Sequence, residues 1–72
     1  MIIRTTNDIS ILIKEERKRQ NLTQVELAQL TNVGVRFLSD LENGKKTCEI
    51  EKVLKVLNGL GIRLTLKNGS LG

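Results

Sequence analysis

The sequence predicts an all-α domain of four to five helices that ends in a short β-strand. A helix start is marked by Thr23 and Glu26, which stand at the S/T-x-x-E spacing of a capping box. Apolar residues recur at i, i+3, i+4 and i+7 from Ile50 to Leu57, as on the inner face of an amphipathic helix. Apolar and polar residues alternate from Ile62 to Lys67, which is the period of a half-buried strand.

The 72 residues are enough for one small domain, and residues 1–72 are taken as that domain. Apolar burial in so short a chain barely offsets the ordering entropy, so a further source of stability is expected. The chain has one Cys and no His, so neither an intramolecular disulfide nor a Cys/His metal site can supply it. Oligomerisation is the remaining source of additional stability.

The same inventory excludes most enzyme chemistry. Without His there is no Ser–His or Cys–His nucleophile pair, and no phosphate-binding glycine motif is present. We therefore expect no catalytic residue, metal, cofactor or small-molecule ligand. The apolar run at residues 11–13 is far shorter than a membrane span, and the N-terminus lacks the apolar core of a signal peptide. The free Cys and the lack of an export signal favour a cytoplasmic protein. The net charge of +4 favours a binding module with an anionic partner such as nucleic acid.

Residues 1–6 are predicted to form an N-terminal arm or an edge strand, because they are few and rich in β-branched side chains. Thr6 or Asn7 can cap the first helix, which runs to about Gln20. Asn21 is the expected left-handed residue after it, since Asn tolerates that conformation better than other non-Gly residues.

The second helix follows the capping box and is short. It runs from Gln24 to Leu30 and has Leu27, Ala28 and Leu30 on its apolar side. Asn32 is again a candidate for the left-handed conformation.

Two further helices complete the predicted bundle. The third runs from Val35 to Asn43 and is ended by Gly44, and Thr47 caps a fourth that is ended by Gly59 and Gly61. The expected inward-facing residues are Leu38 and Leu41 in the third helix, and Ile50, Val53, Leu54 and Leu57 in the fourth.

The strand at residues 61–67 needs a partner, because a lone strand leaves its backbone donors and acceptors unpaired. Its apolar face consists of Ile62, Leu64 and Leu66. The partner is either Ile2–Ile3 of the same chain or the same strand of a second chain, and both fit the alternation.

Two short helices joined by a tight turn inside a basic domain are the ingredients of a helix-turn-helix. The segments Leu22–Gln29, with T-Q-x-E-L-A, and Leu38–Lys45, with L-E-N-G-K, resemble the lambda-repressor/Cro (XRE)-type helix-turn-helix family. The resemblance covers Ile9 to Leu57, and it implies that the third helix is the recognition helix. The turn departs mildly from the family, since Asn32 stands where Gly is usual.

The C-terminal segment of the sequence resembles one particular group within this family. A strand directly after the fourth helix is similar to HipB-type antitoxins. That resemblance implies a homodimer in which the strand pairs with its twin. It also implies an autorepressor of its own operon and a HipA-like serine/threonine kinase toxin as partner.

The recognition helix offers four candidates for contacts with DNA bases. Arg36 lies at its exposed start, and Arg bound to guanine O6 and N7 is the commonest specific contact. A phosphate contact of Arg36 is the alternative. Val35 can meet a thymine methyl, and Ser39 and Asp40 lie one turn on, where the Asp40 charge opposes DNA unless Arg36 or a cytosine amino group pairs with it. Phe37, the only aromatic residue, is expected to be partly buried.

Phosphate contacts are expected around the two ends of the helix-turn-helix. Gln24 matches the family position that contacts a phosphate, and Thr23 acts first as a cap. Asn43 ends the predicted recognition helix, and Lys45 and Lys46 follow it, where the alternative for the lysines is a solvated loop.

Arg17 and Glu42 match the internal salt bridge of the family, which joins the first helix to the end of the third. A phosphate contact of Arg17 is the alternative, and the salt bridge is favoured over it.

The sequence therefore predicts a two-fold symmetric dimer on operator DNA, with half-sites about 34 Å apart. Three functions stay open. The first is a HipB-like antitoxin that is both repressor and toxin-binding partner. The second is a stand-alone phage-type, Cro-like regulator without a toxin. The third is a protein-interaction module without specific DNA binding.

Overall fold

Four α-helices form the fold in a computed structural model that describes residues 2–65. They are α1 (Thr6–Arg19), α2 (Gln24–Thr31), α3 (Val35–Glu42) and α4 (Ile50–Gly59). Helix α2 packs against both α3 and α4, and α1 packs against α3. In residues 2–65 no helix is both long and apolar enough to cross a membrane.

The first two helices begin with complete capping boxes. The Thr5 hydroxyl accepts from the Asp8 backbone N–H, and the Asp8 carboxylate accepts from the Thr5 N–H. Thr23 and Glu26 form the same arrangement at α2, as the sequence predicts. The predicted cap of α1 at Thr6 or Asn7 is wrong, because Thr5 takes that role, and the N-terminal arm therefore ends at Thr5.

All four helices end in the same way, with a residue of positive φ. Asn21 and Asn32 adopt φ of 58° and 57°, and Gly44 and Gly61 adopt 85° and 78°. The next residue donates its N–H to a carbonyl five positions back, as from Leu22 to Arg17 at 3.1 Å. This is the Schellman motif, and it confirms the prediction that Asn21 and Asn32 are left-handed.

The hydrophobic core lies between the four helices. Its buried residues are Ile13, Leu27, Ala28, Leu38, Leu41, Val53, Val56, Leu57 and Leu60. Leu30 was expected to face inward but is 60% exposed, and Thr31 takes the buried position beside it.

Helix α4 differs from its prediction at both its start and its inner face. It begins at Ile50 with Glu49 as its N-cap, so the expected cap at Thr47 is wrong. The buried residues also have the i, i+3, i+4, i+7 spacing, but they start at Val53 and not at Ile50. The reason is that α2 packs on the stripe of Val53, Val56, Leu57 and Leu60, which leaves Ile50 and Leu54 66% and 40% exposed.

The predicted C-terminal strand is only partly within the described residues. Ile62 ends α4 through its N–H, which donates to the Leu57 carbonyl at 2.9 Å, and its side chain packs against the core. Residues 2–65 contain no strand, so pairing of Ile2–Ile3 with residues 62–65 is not seen. Leu66 and the rest of the predicted strand lie outside the described residues.

Candidate nucleic-acid interface

The surface of α3 carries the four predicted base-reading residues. Val35 and Arg36 are exposed, and Ser39 and Asp40, one turn on, are half-buried. The opposite side of the helix, with Leu38 and Leu41, is buried in the core. Within residues 2–65 no carboxylate lies within 4 Å of Arg36, so its guanidinium is available to a ligand.

Asp40 has a different partner from the one considered in the sequence. Its carboxylate lies 3.8 Å from Lys45 Nζ, and not beside Arg36. The Lys45 N–H also donates to the Asp40 carbonyl at 3.0 Å, which ends α3 and brings the two residues together. The side chains of Lys45 and Asp40 are 56% and 41% exposed, so the pair contributes little to stability.

Arg17 and Glu42 form a bidentate pair inside the domain. Arg17 Nε donates to Glu42 Oε2 at 2.7 Å, and Nη2 donates to Oε1 at 2.9 Å. Arg17 Nη1 also donates to the carbonyl of Leu22 at 2.7 Å, which ties the α1–α2 turn to the same cluster. The hydrogen bonds to Glu42 raise the pKa of Arg17 further above its already high value. Arg17 is buried in this contact and does not reach the recognition surface.

Gln24, the first residue of α2, joins the same carboxylate. Its Nε2 donates to Glu42 Oε1 at 3.2 Å, and the amide keeps a second N–H for another acceptor. The contact places the start of α2 beside the end of α3, where Asn43 follows. No local pattern in the sequence signals this contact, because it joins residues that are 18 positions apart and on different helices.

Three of the phosphate candidates therefore lie near one another: Thr23 and Gln24 at the start of α2, and Asn43 at the end of α3. The other two candidates, Lys45 and Lys46, are exposed and line a groove bordered by α1, α3 and α4, together with Ile9 and Ile50.

Phe37 occupies an intermediate position. Its ring packs partly against the core, in line with the predicted partial burial, and Lys52 Nζ lies 5.6 Å from the ring centroid. A cation at this distance over an aromatic face is attracted to it. The Phe37 ring therefore contacts α4 through Lys52, and it does not belong to the recognition surface alone.

A comparison of the sequence with protein-family profiles finds a helix-turn-helix in the same segment of the chain. A family profile described as helix-turn-helix matches residues 13–67, which span α1 from Ile13 through α4 and beyond. The chain belongs to the XRE-type helix-turn-helix family. The family consists of DNA-binding transcriptional regulators, not of an enzyme class, and this chain is a transcriptional regulator of that type.

A curated relative shares this assignment, and several solved structures share the fold. The chain is 50% identical over 64 residues to the uncharacterized HTH-type transcriptional regulator y4mF of Sinorhizobium fredii, over 89% of this chain and 84% of that protein. A structure described as a HipB–O4 20mer complex superposes with a TM-score of 0.87 at 23% identity, over 97% of this chain and 99% of that one. A chain of a structure described as a HipA–HipB–O2–O3 complex gives the same values. The fold of this family member is therefore that of HipB.

Proposed function

We propose that this chain is the DNA-binding antitoxin of a toxin–antitoxin operon. It represses that operon in the cytoplasm as a homodimer on two-fold symmetric operator DNA, and it binds a HipA-like serine/threonine kinase toxin. The observation that carries the DNA-binding part is the exposed Arg36 on α3, together with the polar residues at the start of α2, which lie beside the end of the same helix. The toxin and dimer parts are supported by the HipB fold and by the apolar alternation that begins at Ile62.

In this proposal the recognition helix contacts the DNA bases, and the residues around it contact the DNA phosphate backbone. Arg36 donates to a guanine, Val35 contacts a thymine methyl, and Ser39 and Asp40 extend the readout by one turn. Phosphates are bound by Thr23, Gln24, Asn43, Lys45 and Lys46. Asp40 accepts from a cytosine amino group once Lys45 has moved to a phosphate.

The test is operator binding by Arg36→Ala, measured by fluorescence anisotropy at one fixed salt concentration. The DNA is the region upstream of the chain's own gene, and a shuffled sequence serves as non-specific DNA. We expect affinity for the upstream DNA to fall by ~1–3 kcal/mol per half-site, with a much smaller fall on shuffled DNA. Equal weakening on both DNAs would contradict base readout by Arg36.

Lys14→Ala is the matched control for this test. Lys14 is an exposed residue of α1, so the substitution removes one positive charge without touching α3. We expect this variant to keep its preference for the upstream DNA. If the wild type itself shows no such preference, the chain is a protein-interaction module.

The toxin part is tested separately. Co-expression with the adjacent reading frame, followed by purification through a tag on this chain, is expected to recover a kinase-like protein in stoichiometric amount. Toxicity of that neighbour that is unaffected by this chain would instead indicate a stand-alone regulator.

A further inference from the structure

The contact between Gln24 and Glu42 joins a surface amide to a buried carboxylate. Gln24 Nε2 lies 3.2 Å from Glu42 Oε1, and the Glu42 side chain is 1% exposed whereas Gln24 is half-buried. An ionised carboxylate only accepts hydrogen bonds, so the NH₂ group of the amide, and not its carbonyl, faces Glu42. The contact therefore fixes the orientation of the Gln24 side chain.

One N–H of the Gln24 amide is left for a ligand. Nε2 carries two hydrogens, and Glu42 takes one of them. The neighbouring Thr23 is engaged in the capping box, where its hydroxyl accepts from the Glu26 N–H and its own N–H donates to the Glu26 carboxylate. Gln24 thus contributes a donor at the start of α2 whose orientation is set by another helix.

Arg17 makes the buried carboxylate compatible with a nearby phosphate. A lone negative charge behind Gln24 would repel a phosphate, but Arg17 donates from Nε and Nη2 to the two oxygens of Glu42 at 2.7 and 2.9 Å. Such a bidentate pair brings the opposite charges into contact. A phosphate that approaches Gln24 therefore meets an amide donor backed by a neutral pair.

We propose that Glu42 is a positioning residue for DNA binding, which holds the free N–H of Gln24 ready for a DNA phosphate. Immobilising a rotamer-rich side chain on binding reduces affinity, and the contact with Glu42 immobilises Gln24 before DNA arrives. Gln29 provides the contrast on the same helix. It is exposed, and its side chain makes no hydrogen bond within residues 2–65.

The proposal rests on the phosphate contact of Gln24 in the proposed function and states how the structure prepares that contact. Glu42 is the last residue of α3, the helix that carries Arg36. The phosphate donor on α2 is therefore held against the same helix that contacts the bases. Through Glu42 the phosphate contact and the base contact keep a fixed separation.

Side-chain ¹⁵N relaxation of the free, full chain tests the positioning without any substitution. We expect the amide of Gln24 to approach the order parameter of rigid backbone, ~0.85, and that of Gln29 to stay below ~0.6. Equal mobility of the two amides would overturn the proposal, whether or not the chain binds DNA.

A double-mutant cycle on DNA affinity tests whether Glu42 acts through Gln24. Arg17→Met and Glu42→Met are introduced together, as the Met pair, because apolar replacement of a whole buried ion pair leaves no unpaired charge and is expected to keep the fold. Circular dichroism checks folding, and fluorescence anisotropy with the upstream DNA gives the affinity. We expect the Met pair to weaken binding about two- to tenfold in the wild type, as for one side chain immobilised on binding. In the Gln24→Ala background the loss should stay below about twofold, because no amide remains to be positioned.

The single variants set the scale of the cycle. Gln24→Ala is expected to weaken binding about tenfold, as for one hydrogen bond to a charged group. Gln29→Ala, its matched control, should leave the affinity unchanged.

The outcomes separate this inference from the proposed function. Equal losses from the Met pair in both backgrounds would make the Arg17–Glu42 pair purely structural and overturn the proposal, while operator binding would stand. If the Met pair does not fold, the relaxation measurement alone decides. A wild type without preference for the upstream DNA would overturn the proposed function, and with it the phosphate contact that Glu42 prepares.

Discussion

Helices α1 and α2 are closed at both ends by their own residues, whereas α3 and α4 begin without a side-chain cap. Capping boxes start the first two helices, but the N-caps Gly34 and Glu49 make no side-chain hydrogen bond to α3 or α4. The four C-terminal ends are alike. The N-terminal half is therefore defined by local hydrogen bonds, while the starts of α3 and α4 depend on packing. The recognition helix α3 lies in this less locally defined half, whereas Thr23 and Gln24 lie in the other.

The buried carboxylate of Glu42 connects the two halves by hydrogen bonds. It accepts two hydrogen bonds from Arg17 and one from Gln24, so α1 and α2 both depend on the last residue of α3. Among the substitutions considered below, breaking this contact is expected to lower the free energy of unfolding most.

Glu42→Ala is expected to lower the free energy of unfolding by ~3 kcal/mol, because it leaves the Arg17 charge buried without its partner. Urea denaturation at pH 7 measures this. Asp40→Ala is the control, since it removes a carboxylate from the same helix whose pair with Lys45 is exposed, and its cost should stay below ~1 kcal/mol. Equal costs for the two variants would mean that the buried pair does not hold the halves together.

Gly59→Ala is expected to cost about 1–3 kcal/mol at the contact between α2 and α4, despite the better helix propensity of Ala. A Cβ at this position would lie 2.2 Å from Thr31 Cγ2. Thr31 cannot turn away freely, because its hydroxyl donates to the Leu27 carbonyl at 2.8 Å. Thermal unfolding followed by circular dichroism gives the cost.

Thr31→Ser provides the control for that clash. Ser keeps the hydroxyl and lacks Cγ2, so Gly59→Ala in the Thr31→Ser background should cost less than in the wild type. A double-mutant cycle with no coupling between the two positions would contradict the steric explanation.

The contrast between local hydrogen bonds and packing also explains which features could be predicted from the sequence. The capping box of α2 and the left-handed Asn21 and Asn32 follow from neighbouring residues, and the structure confirms them. The inner face of α4 was not predictable in this way, because its sequence contains two overlapping stripes with the same period, starting at Ile50 and Val53. Only packing against α2 selects the second stripe. The contact of Gln24 with Glu42 likewise depends on the tertiary fold.

Acid is expected to destabilise the N-terminal half through its hydrogen-bonded carboxylates. Hydrogen bonds from Arg19 and Gln20 lower the pKa of Glu16 from 4.5 to about 2, and backbone hydrogen bonds lower the pKa of Asp8 and Glu26. A carboxylate with a lowered pKa in the folded state stabilises the fold above its unfolded pKa. That contribution is lost as the pH falls from about 4.5 toward about 2.

Urea denaturation at a series of pH values from 7 to 2 measures this loss. Glu16→Gln should show a shallower decline than the wild type, because one of the titrating groups is absent. Identical slopes would show that the hydrogen bonds of Glu16 do not contribute to folding.

The smallest expected effect comes from giving α3 the cap that it lacks. Gly34 has φ of −71° and ψ of 146°, close to the −78° and 165° of the capping residue Thr23, and a Cβ at Gly34 would meet nothing within 4 Å. Gly34→Ser can therefore cap α3 without strain and is expected to raise the free energy of unfolding by a few tenths of a kcal/mol. Thr23→Ala, which removes the equivalent cap from α2, should lower it by ~1 kcal/mol. If Gly34→Ser lowers the free energy of unfolding instead, packing holds the start of α3 in a conformation that a serine cap disturbs. The two halves would then differ in more than their capping hydrogen bonds.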